Sequence, residues 1–332
     1  MIVADLPTPA LVIDATAFNH NIATMAAARP GIRLRPHVKA HKSTKLAQQQ
    51  FDAGHRRFCA ATPREISGMA MAGLGEDLLL ANETLDPSRL VAMAKLEPFV
   101  TIAVDSIETI EAAARARIQR VLIDVNVGLP RCGCRPHDAG RLADRARSLG
   151  IDVRGVMGYE GHAVGLVDRV QRTEICNTSM ERLAVAHDLV GGEIVSAGGT
   201  GTFDISPIPN EIQAGSYALM DTAYSQLDIP FRQALWVVAT IISARSHYAV
   251  GDCGLKALGM DHGMPTVATH EVQLCSDEHI TITPTAKVGS KILIAPAHVD
   301  PTAAYHDAFH VADGPGLEAN IVDLWPINLR GW

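Results

Sequence analysis

The chain has 332 residues, of which 47% are hydrophobic and 20% are charged, a composition that supports a substantial core and excludes a disordered protein. Its formal net charge of −7 argues against a nucleic-acid groove or an anionic membrane surface as the main partner. The longest apolar stretch, residues 234–242, is too short to cross a membrane, and the N-terminus has no secretory pattern, so we expect a cytoplasmic protein.

A strand is predicted at residues 10–14, and the helix after it carries Phe18, Ile22 and Met25 on one face. From there, short apolar or β-branched runs alternate with amphipathic helices that have readable ends, such as the capping box of Thr62 and Glu65. The strand runs cover residues 33–36, 57–61, 77–81, 100–105, 121–127, 153–159, 193–197 and 211–220. These eight units predict an α/β protein with a (β/α)8 TIM-like barrel rather than an open doubly wound sheet.

The pattern changes in the last third of the chain. Residues 267–283 alternate apolar and polar positions around a turn at 276–278, and residues 290–296 form another strand. This pattern predicts a C-terminal antiparallel β domain. We place the barrel at residues 11–233 and the β domain at residues 234–332, with residues 1–10 added to it because a lone strand needs a partner.

The loops that follow the barrel strands are where a site is expected. The first run ends in RPHVKAHK, which places Lys39 among other cations. Neighbouring positive charges and a sheltered barrel mouth favour the neutral amine, the usual way to make a Schiff-base nucleophile. A solvated basic loop is the alternative interpretation of this segment.

Four later segments, at the ends of the fifth to eighth runs, carry groups suited to an anionic ligand. Arg131 follows a Gly/Pro turn and presents a planar donor set, while Tyr159 and His162, in GYEGH, lie over the barrel mouth or serve as an ordinary core aromatic and surface histidine. Tyr217 lies near the end of the eighth run, from where its phenol could reach a phosphate at the seventh. The glycine-rich turn after the seventh run predicts a phosphate cradle, with Gly199, Thr200, Gly201 and Thr202 as its main residues.

The tail contains a candidate metal pair. His298 and Asp300 are two positions apart in APAHVDPT, on one side of a stretch that we expect to be extended, so both can bind one divalent ion. Two ligands are too few for a closed structural zinc site, so the ion would keep open positions for water or substrate. In a chain with 14 histidines, however, a chance His-x-Asp is not rare.

With these motifs in this order, the sequence resembles the pyridoxal-phosphate (PLP) enzymes of the alanine racemase-like fold, or fold type III. Within that fold it resembles the branch of D-threonine aldolases, 3-hydroxy-D-aspartate aldolases and eukaryotic-type D-serine dehydratases. The similarity covers nearly the whole chain, through PTPALVID, RPHVKAHK, VGLPRCG, YEGH, GGTGT, AGSYALMD, GDCGLKAL, PAHVDPT and VDLWPI.

The resemblance implies a role for each candidate. Lys39 would form the Schiff base with PLP, Arg131 would face the phenolic oxygen, and the GGTGT amides with Tyr217 would bind the phosphate near Tyr159. His298 and Asp300 would hold a divalent metal at the substrate β-hydroxyl, with His162 as the candidate base. The dehydratases have His-x-Cys where this chain has His-x-Asp, and a carboxylate favours Mn²⁺ or Mg²⁺ over Zn²⁺.

The leading hypothesis is a metal-dependent PLP aldolase that cleaves D-configured β-hydroxy-α-amino acids, such as D-threonine, to glycine and an aldehyde. A PLP- and metal-dependent dehydratase of D-serine, D-threonine or 3-hydroxyaspartate is the second, and an amino-acid racemase the third. Two further hypotheses come from other functional classes: a PLP carrier without turnover, and a barrel hydrolase that does not use PLP. By analogy with the family we expect a small amino-acid substrate and a homodimer.

Overall fold

The computed structural model describes residues 1–96 and 99–332. Within them the α-helices are α1 Ala15–Ala28, α2 Thr44–Asp52, α3 Pro63–Met71, α4 Pro87–Ala94, α5 Ile107–Arg115, α6 Ala139–Ser148, α7 Arg169–Val190 and α8 Val299–Tyr305. The strands are β1 Ala10–Asp14, β2 Arg57–Ala60, β3 Asp77–Leu80, β4 Phe99–Val104, β5 Arg120–Asp124, β6 Asp152–Met157, β7 Ile194–Ala197, β8 Glu211–Ile212, β9 Leu235–Ala244, β10 Ala249–Gly251, β11 Thr266–Val267, β12 Glu271–Cys275, β13 Ile280–Thr283, β14 Lys291–Ala295, β15 Ala308–Ala312 and β16 Ile321–Pro326. Among the helices of these described ranges, none is both long and apolar enough to cross a membrane.

The chain divides into two compact units. The barrel unit comprises residues 25–39, 47–215 and 329–332, and the β-sheet unit comprises residues 1–24, 40–46 and 216–328. Each unit contains one of the two sheets.

The barrel unit is built on a parallel sheet in which β2 to β8 follow one another in chain order. The segment 34–37 occupies the remaining position, because the N–H groups of Arg35 and His37 donate to the carbonyls of Ile212 and Ala214, while the Pro36 carbonyl accepts from the N–H of Cys59. It thus joins β8 to β2 and closes the barrel that the eight sequence runs predicted.

The barrel interior has an apolar layer and a charged one. The apolar layer consists of buried residues from six consecutive strands: Cys59, Leu79, Ala103, Leu122, Met157 and Ile194. Near the amino ends of the strands, the buried Arg35 guanidinium donates to Glu211 at 2.7 Å and lies 3.4 Å from the carboxylate of Asp77, which also pairs with Arg154. Charges buried this deeply are tolerated because each has an opposite partner.

The helix ends of the barrel unit follow the local signals in the sequence. Thr62 Oγ1 accepts from the N–H of Glu65 at 3.2 Å, and the Glu65 carboxylate accepts from the N–H of Thr62, which confirms the predicted capping box. Asp168 caps α7 by accepting from the N–H groups of Val170 and Gln171. Such caps satisfy amides that have no partner inside the helix.

The β-sheet unit contains the second, mainly antiparallel sheet. The opening strand β1 pairs antiparallel with β9 and parallel with β15, so the first strand of the chain finds its partners among strands near the end. The predicted hairpin around residues 276–278 is confirmed as β12 and β13, and residues 291–295 form β14. His298 has extended backbone but Asp300 lies in the first turn of α8, so this stretch is not extended throughout as expected.

Candidate active site

The predicted site residues of the barrel unit all follow the carboxyl ends of strands. Lys39 comes after the segment 34–37, Arg131 after β5, Tyr159 and His162 after β6, and residues 199–202 after β7. Because the strands are parallel, these ends lie at one rim of the barrel, which is where such folds bind their ligands.

Lys39 is half-buried in a short 3-10 turn, Val38–Ala40, and its backbone N–H donates to Nδ1 of His37 at 3.4 Å. Cys59, on the neighbouring strand, is fully buried, and its thiol donates to Gln213. Burial raises the pKa of the Cys59 thiol, whereas the positive charges of Arg35 and Lys39 oppose the rise.

Tyr159 connects three of the rim loops. The guanidinium carbon of Arg131 lies 5.4 Å from the centre of its ring, a cation–π distance, although Arg131 itself is exposed. A Cβ added to Gly199, in the loop after β7, would lie 3.4 Å from Cε2 of Tyr159 and 3.0 Å from Val164. The glycine therefore allows the loop after β7 to approach this ring closely.

Glu160, which was not among the predicted site residues, holds the glycine-rich loop. Glu160 is fully buried; its carboxylate accepts from Thr202 Oγ1 at 2.6 Å and from the N–H of Gly198 at 3.2 Å. Thr202 Oγ1 also accepts from the N–H of Gly199 at 3.1 Å. Burial raises the pKa of Glu160, and the bonds from Thr202 and Gly198 oppose that rise.

The amide of Gly201 lies at the centre of this loop and is buried. Within the described part of the chain, no protein group accepts a hydrogen bond from it. A buried N–H without a protein acceptor is costly, so this donor fits an anionic ligand such as a phosphate.

His162 is half-buried against the loop after β5. A Cβ on Gly128 would lie 2.9 Å from the imidazole, and the φ of +135° at Gly128 is one that other residues rarely adopt. The Nδ1 atom of His162 is buried and has no hydrogen-bond partner among residues 1–96 and 99–332.

Tyr217, His298 and Asp300 belong to the β-sheet unit. Tyr217 is fully buried in a 3-10 turn, Ser216–Ala218, and its ring centre lies 5.6 Å from that of Phe231. His298 and Asp300 do approach one another: Nε2 of His298 is 3.8 Å from Oδ2 of Asp300, and both side chains are mostly buried.

The other ring nitrogen of His298, Nδ1, lies 2.8 Å from both carboxylate oxygens of Asp261. The ring of His262 stacks on the ring of His298, with 3.7 Å between the ring centres. Burial acts to raise the pKa of Asp261, but the hydrogen bond and charge of His298 lower it below its usual value. Asp261, His262 and His298 have donor atoms close enough together to hold a cation.

The sequence matches the family described as alanine racemase, N-terminal domain, over residues 13–221, and a serine dehydratase domain family over residues 234–312. It is 32% identical to D-threonine aldolase from an Arthrobacter species, over 99% of this chain and 94% of the relative, and 29% identical to 3-hydroxy-D-aspartate aldolase from Paracoccus denitrificans, over 99% and 93%. The crystal structure of D-threonine aldolase from Filomicrobium marinum matches with a TM-score of 0.93 and 32% identity, covering 98% of this chain and 96% of that one.

The chain belongs to the D-threonine aldolase and D-serine dehydratase-like family. This family has the alanine racemase-like fold and depends on PLP. The barrel rim of this family member presents an amine in Lys39, a guanidinium in Arg131 and a buried amide in Gly201, a set of groups that fits PLP.

Glu160 and Asp261 were not predicted as functional residues from the sequence. Glu160 belongs to the YEGH motif, but the glycine-rich turn that its carboxylate holds is 38 residues away in the chain. Asp261 lies 37 residues before His298, and its signal is the pair Asp261-His262 in a glycine-bounded loop. Neither spacing corresponds to a local motif, so only the fold brings these groups together.

Proposed function

We propose that this protein is a metal-dependent PLP aldolase that cleaves D-configured β-hydroxy-α-amino acids, such as D-threonine, to glycine and an aldehyde. The observation that carries the proposal is the carboxylate of Asp300, 3.8 Å from Nε2 of His298, because a His/carboxylate pair suits a hard ion such as Mn²⁺ or Mg²⁺. The names of the aldolase relatives support it.

In the cleavage, the Cα–Cβ bond breaks and its electron pair goes to Cα, which takes up a proton to give glycine. The β-hydroxyl loses its proton, and its O–H electron pair becomes the second bond of the aldehyde carbonyl. When bound, PLP supplies a conjugated electron sink for the pair released at Cα. When bound, the divalent ion lowers the pKa of the β-hydroxyl.

The residues of the barrel rim bind and orient PLP in this proposal. Lys39 would supply the amine that holds PLP, and the guanidinium of Arg131 would face the phenolic oxygen of PLP. The cation–π contact between Arg131 and the Tyr159 ring supports this assignment. The Gly201 amide, with Gly199, Thr200 and Tyr217, binds the phosphate. Thr202 contributes by shaping this loop, because its hydroxyl hydrogen is already donated to Glu160.

His162 is the proposed base. Its Nδ1 has no protein partner within the described chain, and its ring is fixed by packing against the loop at Gly128. A neutral imidazole held this way can take the β-hydroxyl proton, either directly or through a water.

The test is an incubation of cofactor-loaded protein with D-threonine, with and without a chelator and added Mn²⁺, followed by product analysis. Glycine plus acetaldehyde, lost on chelation, is the expected result. Formation of 2-oxobutyrate and ammonia would instead assign a dehydratase, and D-threonine converted to L-allo-threonine, by inversion at Cα alone, would assign a racemase.

As part of the same proposal, we expect the protein to be a homodimer and to be located in the cytoplasm. Sedimentation velocity at two protein concentrations tests the dimer: one species of twice the chain mass, 35.5 kDa per chain, is expected at both.

A further inference from the structure

The two ring nitrogens of His298 lie at different distances from two carboxylates. Nδ1 is 2.8 Å from each oxygen of Asp261, while Nε2 is 3.8 Å from Oδ2 of Asp300. A separation of 2.8 Å is a hydrogen bond. A separation of 3.8 Å is too long for one, but it suits two donors that share an ion, since ligands at about 2.0–2.2 Å from one metal lie no more than about 4.4 Å apart.

The two contacts determine where the imidazole proton resides. An ionised carboxylate can only accept hydrogen bonds, so a contact of 2.8 Å with Asp261 requires the proton on Nδ1. In a neutral imidazole this leaves the lone pair on Nε2, the nitrogen that faces Asp300. The hydrogen bond to Asp261 therefore selects the tautomer that can bind a metal on the Asp300 side.

The backbone of the β-sheet unit holds Asp261 in this position. Gly259 pairs with His298 as an antiparallel bridge, and its N–H donates at 2.8 Å to Oγ1 of Thr302, which in turn donates to the His298 carbonyl at 2.7 Å. A Cβ on Gly259 would overlap the side chain of Pro301, so only glycine permits this close approach. The stacked ring of His262, inclined by 13°, fixes the plane of the His298 imidazole.

We propose that Asp261 is a positioning residue for the metal: it orients His298 and keeps the proton on Nδ1, so that Nε2 and Asp300 bind the divalent ion. This role rests on the proposed function, because the ion itself belongs to that proposal. Carboxylates hydrogen-bonded to a metal-ligating histidine in this way raise the basicity of the ligand and hold its orientation.

The test measures Mn²⁺ binding by the electron paramagnetic resonance signal of free Mn²⁺, on cofactor-loaded protein from which metal has been removed. Asp261→Ala is expected to raise the Kd for Mn²⁺ by about 10- to 100-fold. Asp261→Asn should have a smaller effect because its amide oxygen still accepts from Nδ1. His298→Ala and Asp300→Ala should abolish tight binding, and the control Asp277→Asn, at an exposed site of the same unit, should leave it unchanged.

A second readout separates positioning from general stability. Asp261 is well exposed, so the melting temperature of the metal-free variants should equal that of the wild type, while the rise in melting temperature on adding Mn²⁺ should shrink. Wild-type Mn²⁺ affinity in Asp261→Ala, together with loss of binding in His298→Ala, would overturn the role of Asp261. The assignment of His298 and Asp300 as metal ligands would be unaffected by that result.

Two further outcomes also count against the proposal. If Asp261→Ala abolishes binding and Asp300→Ala does not, Asp261 is itself a ligand and the positioning role is wrong. If the wild-type protein binds no Mn²⁺, the proposed metal site fails, and the role of Asp261 fails with it.

Discussion

Thr202 donates its hydroxyl hydrogen to the buried carboxylate of Glu160 across 2.6 Å, and this bond ties the loop after β7 to the loop after β6. Both side chains are almost completely buried. The same hydroxyl oxygen accepts from the N–H of Gly199, so one side chain organises two groups of the proposed phosphate cradle.

We expect Thr202→Val, which keeps the shape and removes the hydroxyl, to raise the Kd for PLP by about 10- to 100-fold, since the loss of a buried bond to a charged group costs about 1.5–3 kcal/mol. Binding of pyridoxal, which lacks the phosphate, should be unchanged. Titration by absorbance measures both, with Thr178→Ala on an exposed face of α7 as the control. Equal weakening of the two ligands would show that the loop does not act through the phosphate.

Replacing Lys39 by alanine should reduce turnover to the buffer level while the far-ultraviolet circular dichroism stays that of the wild type. The reason is that Lys39 is proposed to supply the amine that holds PLP. The absorbance of the cofactor adduct should disappear with it, whereas the exposed Lys287→Ala keeps both absorbance and activity. A Lys39→Ala protein that still turns over D-threonine would overturn the assignment.

Exchange of Asp300 for cysteine should change the metal preference. A thiolate beside His298 binds Zn²⁺ better than Mn²⁺, so we expect the ratio of the two dissociation constants to move toward Zn²⁺. Competition between the two ions, followed by atomic absorption of the washed protein, measures this ratio. Asp300→Ser, which is of similar size but offers no thiolate, is the control, and an unchanged ratio in Asp300→Cys would place the ion elsewhere.

Glu211→Gln should lower the free energy of unfolding by about 3–5 kcal/mol, because removing one partner of a buried pair leaves the Arg35 charge poorly compensated. Glu76→Gln, which breaks the exposed pair with Arg56, should cost no more than about 1 kcal/mol. Urea unfolding followed by fluorescence measures both. If the free energy of unfolding falls no more in Glu211→Gln than in Glu76→Gln, Asp77 alone compensates the buried guanidinium of Arg35.

The buried ion pairs of Asp77 with Arg35 and Arg154 lead to a prediction of how stability depends on pH. Burial acts to raise the pKa of Asp77, but the positive charges of Arg35 and Arg154 outweigh it and hold the pKa below its usual value. Since the folded pKa is the lower one, Asp77 stabilises the fold above the unfolded pKa of about 3.9, and this stabilisation is lost as the pH falls through the folded value.

Accordingly, the free energy of unfolding of the wild type should fall more steeply than that of Asp77→Asn as the pH is lowered from about 4. Urea unfolding at a series of pH values measures the slopes. Asp144→Asn, at an exposed position of α6, should keep the wild-type slope. Identical slopes for wild type and Asp77→Asn would show that this carboxylate does not contribute to acid sensitivity.

The sequence by itself was enough to predict the alternation of strands and helices, the Thr62–Glu65 capping box and the β12–β13 hairpin, because these depend on residues that are neighbours in the chain. It also indicated that Lys39, Arg131 and His162 follow strand ends, and parallel strands then bring those ends to one rim.

Only the tertiary structure determined which distant groups meet. Glu160 reaches Thr202 across 42 residues, Arg35 reaches Glu211 across 176, and β1 pairs with β15 near the other end of the chain. The role of Asp261 likewise depends on the close approach of Gly259 to His298. Side-chain bonds of this kind leave no periodic signal along the chain, because their geometry is set by how the strands and loops pack and not by the spacing of the residues.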